Sequence, residues 1–279
     1  MMSKVERILI LCKTYPSPSA GYTETSCVAG IDESGKLIRI YPMPFRIVND
    51  EQQFKKWQWI SARIEKASKD HRPESHRIFV DTIACDESPI PAGEAGWHVR
   101  RQWLNKITLF KDFESIEAAR ISKGSTLALL RPKRILGLDI KKATAPDWTE
   151  DERTKLLQMQ SHGDLFNADD EAKTLRLLKK IPYDFHYRYE CEINGQTIER
   201  KHKLVDWEVG ALFWNVHRKH GDAWEEPFRK KIEQQLPATD LMFLLGTIHR
   251  FPDQWLIVSL IYPPKLPPEA ENQLSLFAS

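Results

Sequence analysis

Short apolar runs separated by turn residues dominate the first half of the chain. Residues 7–12 form one such run, which ends at Tyr15-Pro16-Ser17-Pro18-Ser19-Ala20-Gly21, a loop composition. Residues 24–31 predict a second strand, Asp32-Glu33-Ser34-Gly35 a turn, and 36–41 a third strand of alternating pattern. Residues 50–57 predict a short helix with Asn49 or Asp50 as its cap. Further strands are expected over 59–66 and 77–83, helices over 93–110 and 115–121 with Ser115 as cap, and late strands over 126–130 and 135–140, broken at Pro132. Several short strands with few helices suggest a small barrel or a strongly curved sheet.

A helical pattern covers 147–160, with acids in its first turn where the helix dipole favours them. Residues 163–168 are polar and loop-like, and 169–180 predict another helix. Beyond Pro182, residues 183–193 and 196–205 flank Asn194-Gly195, a strong hairpin signal. Helices are expected over 207–220, closed by Gly221, and over 223–235. Two apolar strands, 241–248 and 255–262, finish the body, joined by His249-Arg250-Phe251-Pro252-Asp253-Gln254. The expected fold class is therefore α+β. A strand-rich curved sheet or small barrel over 1–146 is followed by a helical connector over 147–181. A smaller α+β module of β-β-α-α-β-β order then covers 182–262, and 263–279 form a Pro-rich tail.

Composition adds bounds. Of 279 residues 41% are hydrophobic and nine are tryptophan, which argues for a folded body. The longest apolar runs are strand-sized, well short of the roughly 20 residues that span a bilayer. The N-terminus enters a strand pattern without a small-residue cleavage site, so the expected location is the cytoplasm. Cys12, Cys27, Cys85 and Cys191 have no paired spacing and read as buried thiols. Net charge is +2, but residues 1–146 carry +7 and residues 147–279 carry −5. A basic first half hints at a polyanionic partner.

The basic residues of that half are interleaved with aromatics. Arg39 and Arg46 bracket Tyr41 and Phe45; Lys55-Lys56-Trp57-Gln58-Trp59 and Arg63 follow. Aromatic faces stack on bases while Lys and Arg neutralise phosphates, so these residues are candidates for nucleic-acid binding. The same tryptophans equally suit a core with a solvated basic rim.

Candidate catalysis lies in the 182–205 hairpin. Asp184 followed by Glu199-Arg200-Lys201 has the order of a restriction-type nuclease site, which would hold Mg2+ or Mn2+. Glu190 and Glu192 are alternative acids. His202, Asp206 and Glu208 lie close together at a strand-to-helix junction, where Asp206 equally serves as a helix cap. His217, His220 and His249 stand apart from these. The chain has no Gly-x-x-x-x-Gly-Lys-Ser/Thr loop, no Gly-x-Gly-x-x-Gly after a strand and no Gly-x-Ser-x-Gly elbow.

The tail carries the most specific motif. Prolines at 263, 264, 267 and 268 favour an extended chain, and Gln273-Leu274-Ser275-Leu276-Phe277 follows. This pentapeptide resembles the one by which many bacterial proteins hold the replication sliding clamp: Gln-Leu, then Ser or Asp, then Leu-Phe. The resemblance implies a sliding-clamp partner, with Leu276 and Phe277 as apolar anchors and Gln273 setting register. The function expected from it is DNA metabolism (repair, mobile-element maintenance or defence), with nucleic acid held by the N-terminal domain. The alternatives are a metal-dependent nuclease and a non-catalytic clamp adaptor.

Overall fold

The structure, a computed structural model, describes residues 3–16, 26–43, 52–151, 154 and 179–266. The tail motif at 273–277, Arg46, Asn49 and Asp50, and most of the connector expected over 147–181 lie outside the described residues.

Five strands close a barrel. These are β1 (Lys4–Lys13), β2 (Ser26–Ile31), β3 (Leu37–Met43), β4 (Trp59–Lys66) and β5 (Ser75–Ile78), in the order β1-β2-β3-β5-β4 with β4 returning to β1. All pairings are antiparallel except β3 with β5. A short β6 (Ala84–Cys85) extends β4. Period-two alternation explains the uninterrupted apolar run in β1. Ile8 and Ile10 fill the barrel with Val28, Ile40, Ile60 and Ile64, while Leu9 and Leu11 point outward. They are buried there too, because a second sheet covers that side.

The second sheet has seven strands in the order β7-β8-β12-β13-β11-β10-β9. Its members are β7 (Leu109–Phe110), β8 (Leu127–Leu130), β9 (Arg134–Lys142), β10 (Tyr183–Ile193), β11 (Gln196–Leu204), β12 (Met242–Ile248) and β13 (Phe251–Ile261). Helix α1 (Glu94–Leu104) leads into it, and α2 (Phe113–Lys123) links β7 to β8. After β11 come α3 (Trp207–His220) and α4 (Glu225–Arg229), which continues as a π turn over Lys230–Gln235. One sheet face packs Phe185, Tyr187, Tyr189 and Phe243 against Phe213, Trp224 and Phe228 of the helical segment. The other face packs Leu127, Leu129, Met242, Leu244 and Val258 against Leu9, Leu11 and Ile31 of the barrel.

Strand pairing places the border between the units at 105–108, because β7, β8 and β9 belong to the second sheet. The expected border at 146 groups them with the barrel, since short apolar strands carry no mark of the sheet they will join. Three local expectations change as well. Of the helix expected over 50–57, only Gln52 among the described residues is helical, in a 3-10 turn; 53–57 are not, and Trp57 adopts φ +66°. The expected 93–110 helix stops at Leu104, and α2 starts at 113 with Asp112, not Ser115, as its cap. The loop expected over 249–254 shrinks to two residues, because β13 begins at Phe251. Asn194 and Gly195, at φ +50° and +77°, make the tight turn between β10 and β11. Among the described residues no helix is long and apolar enough to cross a membrane.

Candidate functional site

A groove of about 610 Å3 runs along the seam between barrel and sheet. The end of β1, the 54–57 turn, α1, the start of α3 and the end of β13 converge on it. Trp57, Trp97, Trp207 and Tyr262 supply aromatic wall, Lys13, Lys55, Lys56 and Arg100 positive charge, and Asp206 and Glu208 negative charge.

The floor is an ion cluster tied to backbone. Asp206 caps α3 by accepting from the Glu208 amide at 2.6 Å, and it also accepts from the Leu260 amide at 2.7 Å. Lys56 Nζ donates to the Leu260 carbonyl at 2.7 Å and to Glu208 Oε2 at 3.0 Å, with Asp206 Oδ2 at 4.0 Å. Burial alone would lower the Lys56 pKa, but Asp206 and Glu208 outweigh it and hold the pKa above its ordinary value. Lys56 therefore joins α3 and β13 to the barrel.

The wall is a stacked arginine. Arg100 lies one helical turn after Trp97 on α1, so both face the groove. Its guanidinium sits 4.8 Å from the Trp57 ring centroid and 4.7 Å from that of Trp97, and its Nε donates to the Ile90 carbonyl at 3.1 Å. Trp57 and Trp97 meet edge to face at 5.7 Å. The Trp57 backbone is fixed on both sides: its N–H donates to the Ile10 carbonyl at 2.7 Å and its carbonyl accepts from the Ile90 amide at 2.8 Å. A bulky residue at positive φ is a strained conformation, and such strain clusters at functional sites.

The mouth is cationic. Lys13 Nζ donates to the Phe54 carbonyl at 3.0 Å and lies 5.3 Å from the Trp207 ring. Burial pulls its pKa down to about 8 against the opposing pull of Glu208. Lys55 is exposed beside Lys13.

The candidates for nucleic-acid binding thus divide. Lys55, Lys56 and Trp57 meet in the groove. Trp59 packs edge to face on Trp103 at 4.8 Å inside the inter-unit core. Arg39 is 1% exposed and donates to the Thr126 carbonyl across the seam at 2.8 Å. Both are therefore structural, because neither offers a face to a strand in solution. Arg63 is exposed and stacks on Phe79 at 4.1 Å, outside the groove. Strand order β1-β2-β3-β5-β4 is that of OB-type barrels, whose strand 2–3 face takes oligonucleotides. Here Ala29, Ile31 and Arg39 of that face are buried under the second sheet. Lys13, Trp97, Arg100, Trp207 and Tyr262 were not singled out by sequence, and Glu208 was grouped with His202 and Asp206 and not with Lys56. The only signal for the central pair was the i, i+3 spacing of Trp97 and Arg100.

The hairpin candidates assemble only in part. Glu199 stands opposite Glu190, six residues along β10 from Asp184. That is roughly 20 Å, too far to share a metal ion. Asp184 pairs with Lys203 at 2.6 Å, Lys201 with Asp139, and Glu199 faces Arg188 at 3.7 Å. His202 points to the opposite, core side, where its Nδ1 meets the Tyr189 hydroxyl at 2.8 Å and its ring lies 4.8 Å from Phe113. Burial, helped by Arg200, pulls its pKa down to about 4. His202 is therefore neutral near pH 7. Asp184 and His202 are not brought to Glu199 and Lys201, whereas the alternative acid Glu190 stands opposite Glu199, where Arg134 and Arg188 pair with the two carboxylates.

Residues 4–106 match the model of a domain of unknown function (DUF8758), and residues 109–279 that of a second domain of unknown function (DUF8757). The gap between the two matches falls where strand pairing divides the units. No curated protein matches the chain. Among solved structures, the chain is similar to one titled "Structure and Conformational Change of a Replication Protein A Heterotrimer Bound to ssDNA". Identity is 8%, covering 99% of this chain and 69% of that one, with a TM-score of 0.29. A likeness of that size leaves function to be read from the groove itself.

Proposed function

Since the chain belongs to the family of the domain of unknown function DUF8757, a name that assigns no activity, we propose a function from its groove and its tail. The protein serves DNA metabolism by holding a nucleic-acid strand in the seam between barrel and sheet. Its C-terminal peptide, Gln273, Leu274, Ser275, Leu276 and Phe277, holds the sliding clamp.

The observation that carries the groove reading is the half-buried aromatic wall of Trp207 and Tyr262 with Lys13 and Lys55 at the mouth, backed by Trp57, Trp97 and Arg100, which are only 4%, 9% and 7% exposed and hold that wall in place. Flat aromatic surfaces accept bases without regard to sequence, and the lysines meet phosphates. About 610 Å3 is room for a nucleotide and not for a duplex.

The first residues of the tail adjoin the groove. Tyr262 and Pro264 line the groove, and Pro263 accepts from the Asp240 amide at 2.9 Å. From Leu266 to Gln273 the chain spans at most about 25 Å. A clamp held by the tail would therefore keep DNA near the groove and raise its effective concentration there. Glu190 and Glu199, the hairpin carboxylates that face each other, are paired with Arg134 and Arg188, which favours a non-catalytic adaptor over cleavage by that hairpin.

The test is binding of a labelled single-stranded oligonucleotide at several salt concentrations. Lys13→Ala/Lys55→Ala should weaken binding about tenfold and shallow the log–log salt slope by about 1.4, at roughly 0.7 per phosphate contact. Equal affinity and equal slope for wild type and variant would remove the groove from the account.

A further inference from the structure

The loop at 67–74, between β4 and β5, meets the two-residue turn between β12 and β13 on the surface of the molecule. Asp70 and His71 come from the first and His249 from the second. One donor atom from each lies within 4.8 Å of the other two. His249 Nε2 is 3.8 Å from Asp70 Oδ1, and the two imidazole centroids are 5.4 Å apart.

We propose that Asp70, His71 and His249 form a Zn2+ site that ties the barrel to the second sheet. Zinc bonds of about 2.0–2.2 Å place tetrahedral ligands about 3.4 Å apart. Closing from the present spacing takes roughly 1 Å, within reach of rotation about the bonds of two exposed histidines. Two imidazoles with one carboxylate suit zinc; magnesium and calcium favour all-oxygen sets.

Arg72 supplies the support that a metal centre needs. Its Nε and Nη2 donate to the Asp70 carboxylate at 2.9 and 2.7 Å, and its Nη1 donates to the Thr247 carbonyl at 2.7 Å. One buried guanidinium thus orients the carboxylate ligand and anchors the strand that delivers His249, the role of an outer-shell partner. Its positive charge moderates affinity, so the ion should exchange. Three protein ligands leave a fourth position for water on the exposed side.

The test uses the full chain, free of affinity tag and stripped of metal, with Co2+ as the visible probe and Zn2+ as competitor. One equivalent of Co2+ should give the intense d–d bands of a four-coordinate ion, and Zn2+ should displace it. His71→Ala and His249→Ala should each weaken binding by at least about tenfold. His217→Ala/His220→Ala should leave it unchanged. Metal-free melting curves of the surface variants should overlay the wild type, which separates loss of ligand from loss of fold. Absence of the bands, or bands that survive His71→Ala/His249→Ala, overturns the proposal.

Discussion

The seam groove and the outer face of the β9–β10–β11 hairpin region both concentrate charge, but they use it differently. On the hairpin face each of the mapped pairs joins one strand to the next: Lys203 with Asp184, Arg188 with Asp139, and Arg134 with Glu190 at 2.9 Å. These pairs lie in solvent, where each is worth roughly 0–1 kcal/mol. In the groove, Lys56 and Asp206 are fixed by backbone groups, Arg100 lies over two indoles, and burial pulls the Lys13 pKa down to about 8. A charged side chain that is costly to bury has a reason to be there. A charged motif in sequence says little until its partners are known.

The largest expected effect tests the tail. Leu276→Ala/Phe277→Ala should remove about 3–6 kcal/mol of apolar burial and lower clamp capture at least a hundredfold. Equal capture of wild type and variant would leave the groove without its tether.

A second prediction sharpens the contrast between the two sides of the hairpin. His202 titrates near 4 in the folded protein and near 6.5 when unfolded. The unfolded chain therefore binds the extra proton first as pH falls from about 6.5 to 4, and stability drops over that window by about 3 kcal/mol. His202→Gln, which keeps an acceptor for Tyr189, should flatten that limb in urea titrations. An unaltered acid limb would place the sensitivity elsewhere.

A third prediction concerns the mouth. Raising pH from 7 to 9 discharges Lys13, and oligonucleotide affinity should fall severalfold. Lys13→Arg should hold affinity constant over the same range. If wild type shows no fall, Lys13 does not meet the phosphate.

The smallest effect belongs to the hairpin face. Asp184→Asn and Glu199→Gln should each change stability by less than about 1 kcal/mol and leave oligonucleotide binding alone. Loss of binding in either would move the site away from the seam.

Much of this was legible in the sequence, for definite reasons. The apolar run in β1 reads as a strand because both of its faces are buried, Ile8 and Ile10 in the barrel and Leu9 and Leu11 in the seam. Asn194-Gly195 marks its hairpin because both residues tolerate positive φ. Lys56 and Trp57 both line the groove, but in a turn and not in the expected helix, since a tryptophan at φ +66° has no signature in composition. Arg100 was hidden because its partners come from segments 40 residues apart. Asp184 and Glu199 had a plausible order, but register, which sequence order does not specify, set them six residues apart.

The most direct measurement compares three proteins on clamp-loaded primed DNA: wild type, Leu276→Ala/Phe277→Ala and Lys13→Ala/Lys55→Ala. Joint engagement predicts that each variant is retained at about a tenth of the wild-type level or less, because each removes one of two linked contacts. Retention of either variant at the wild-type level would contradict a protein that grips ring and strand together.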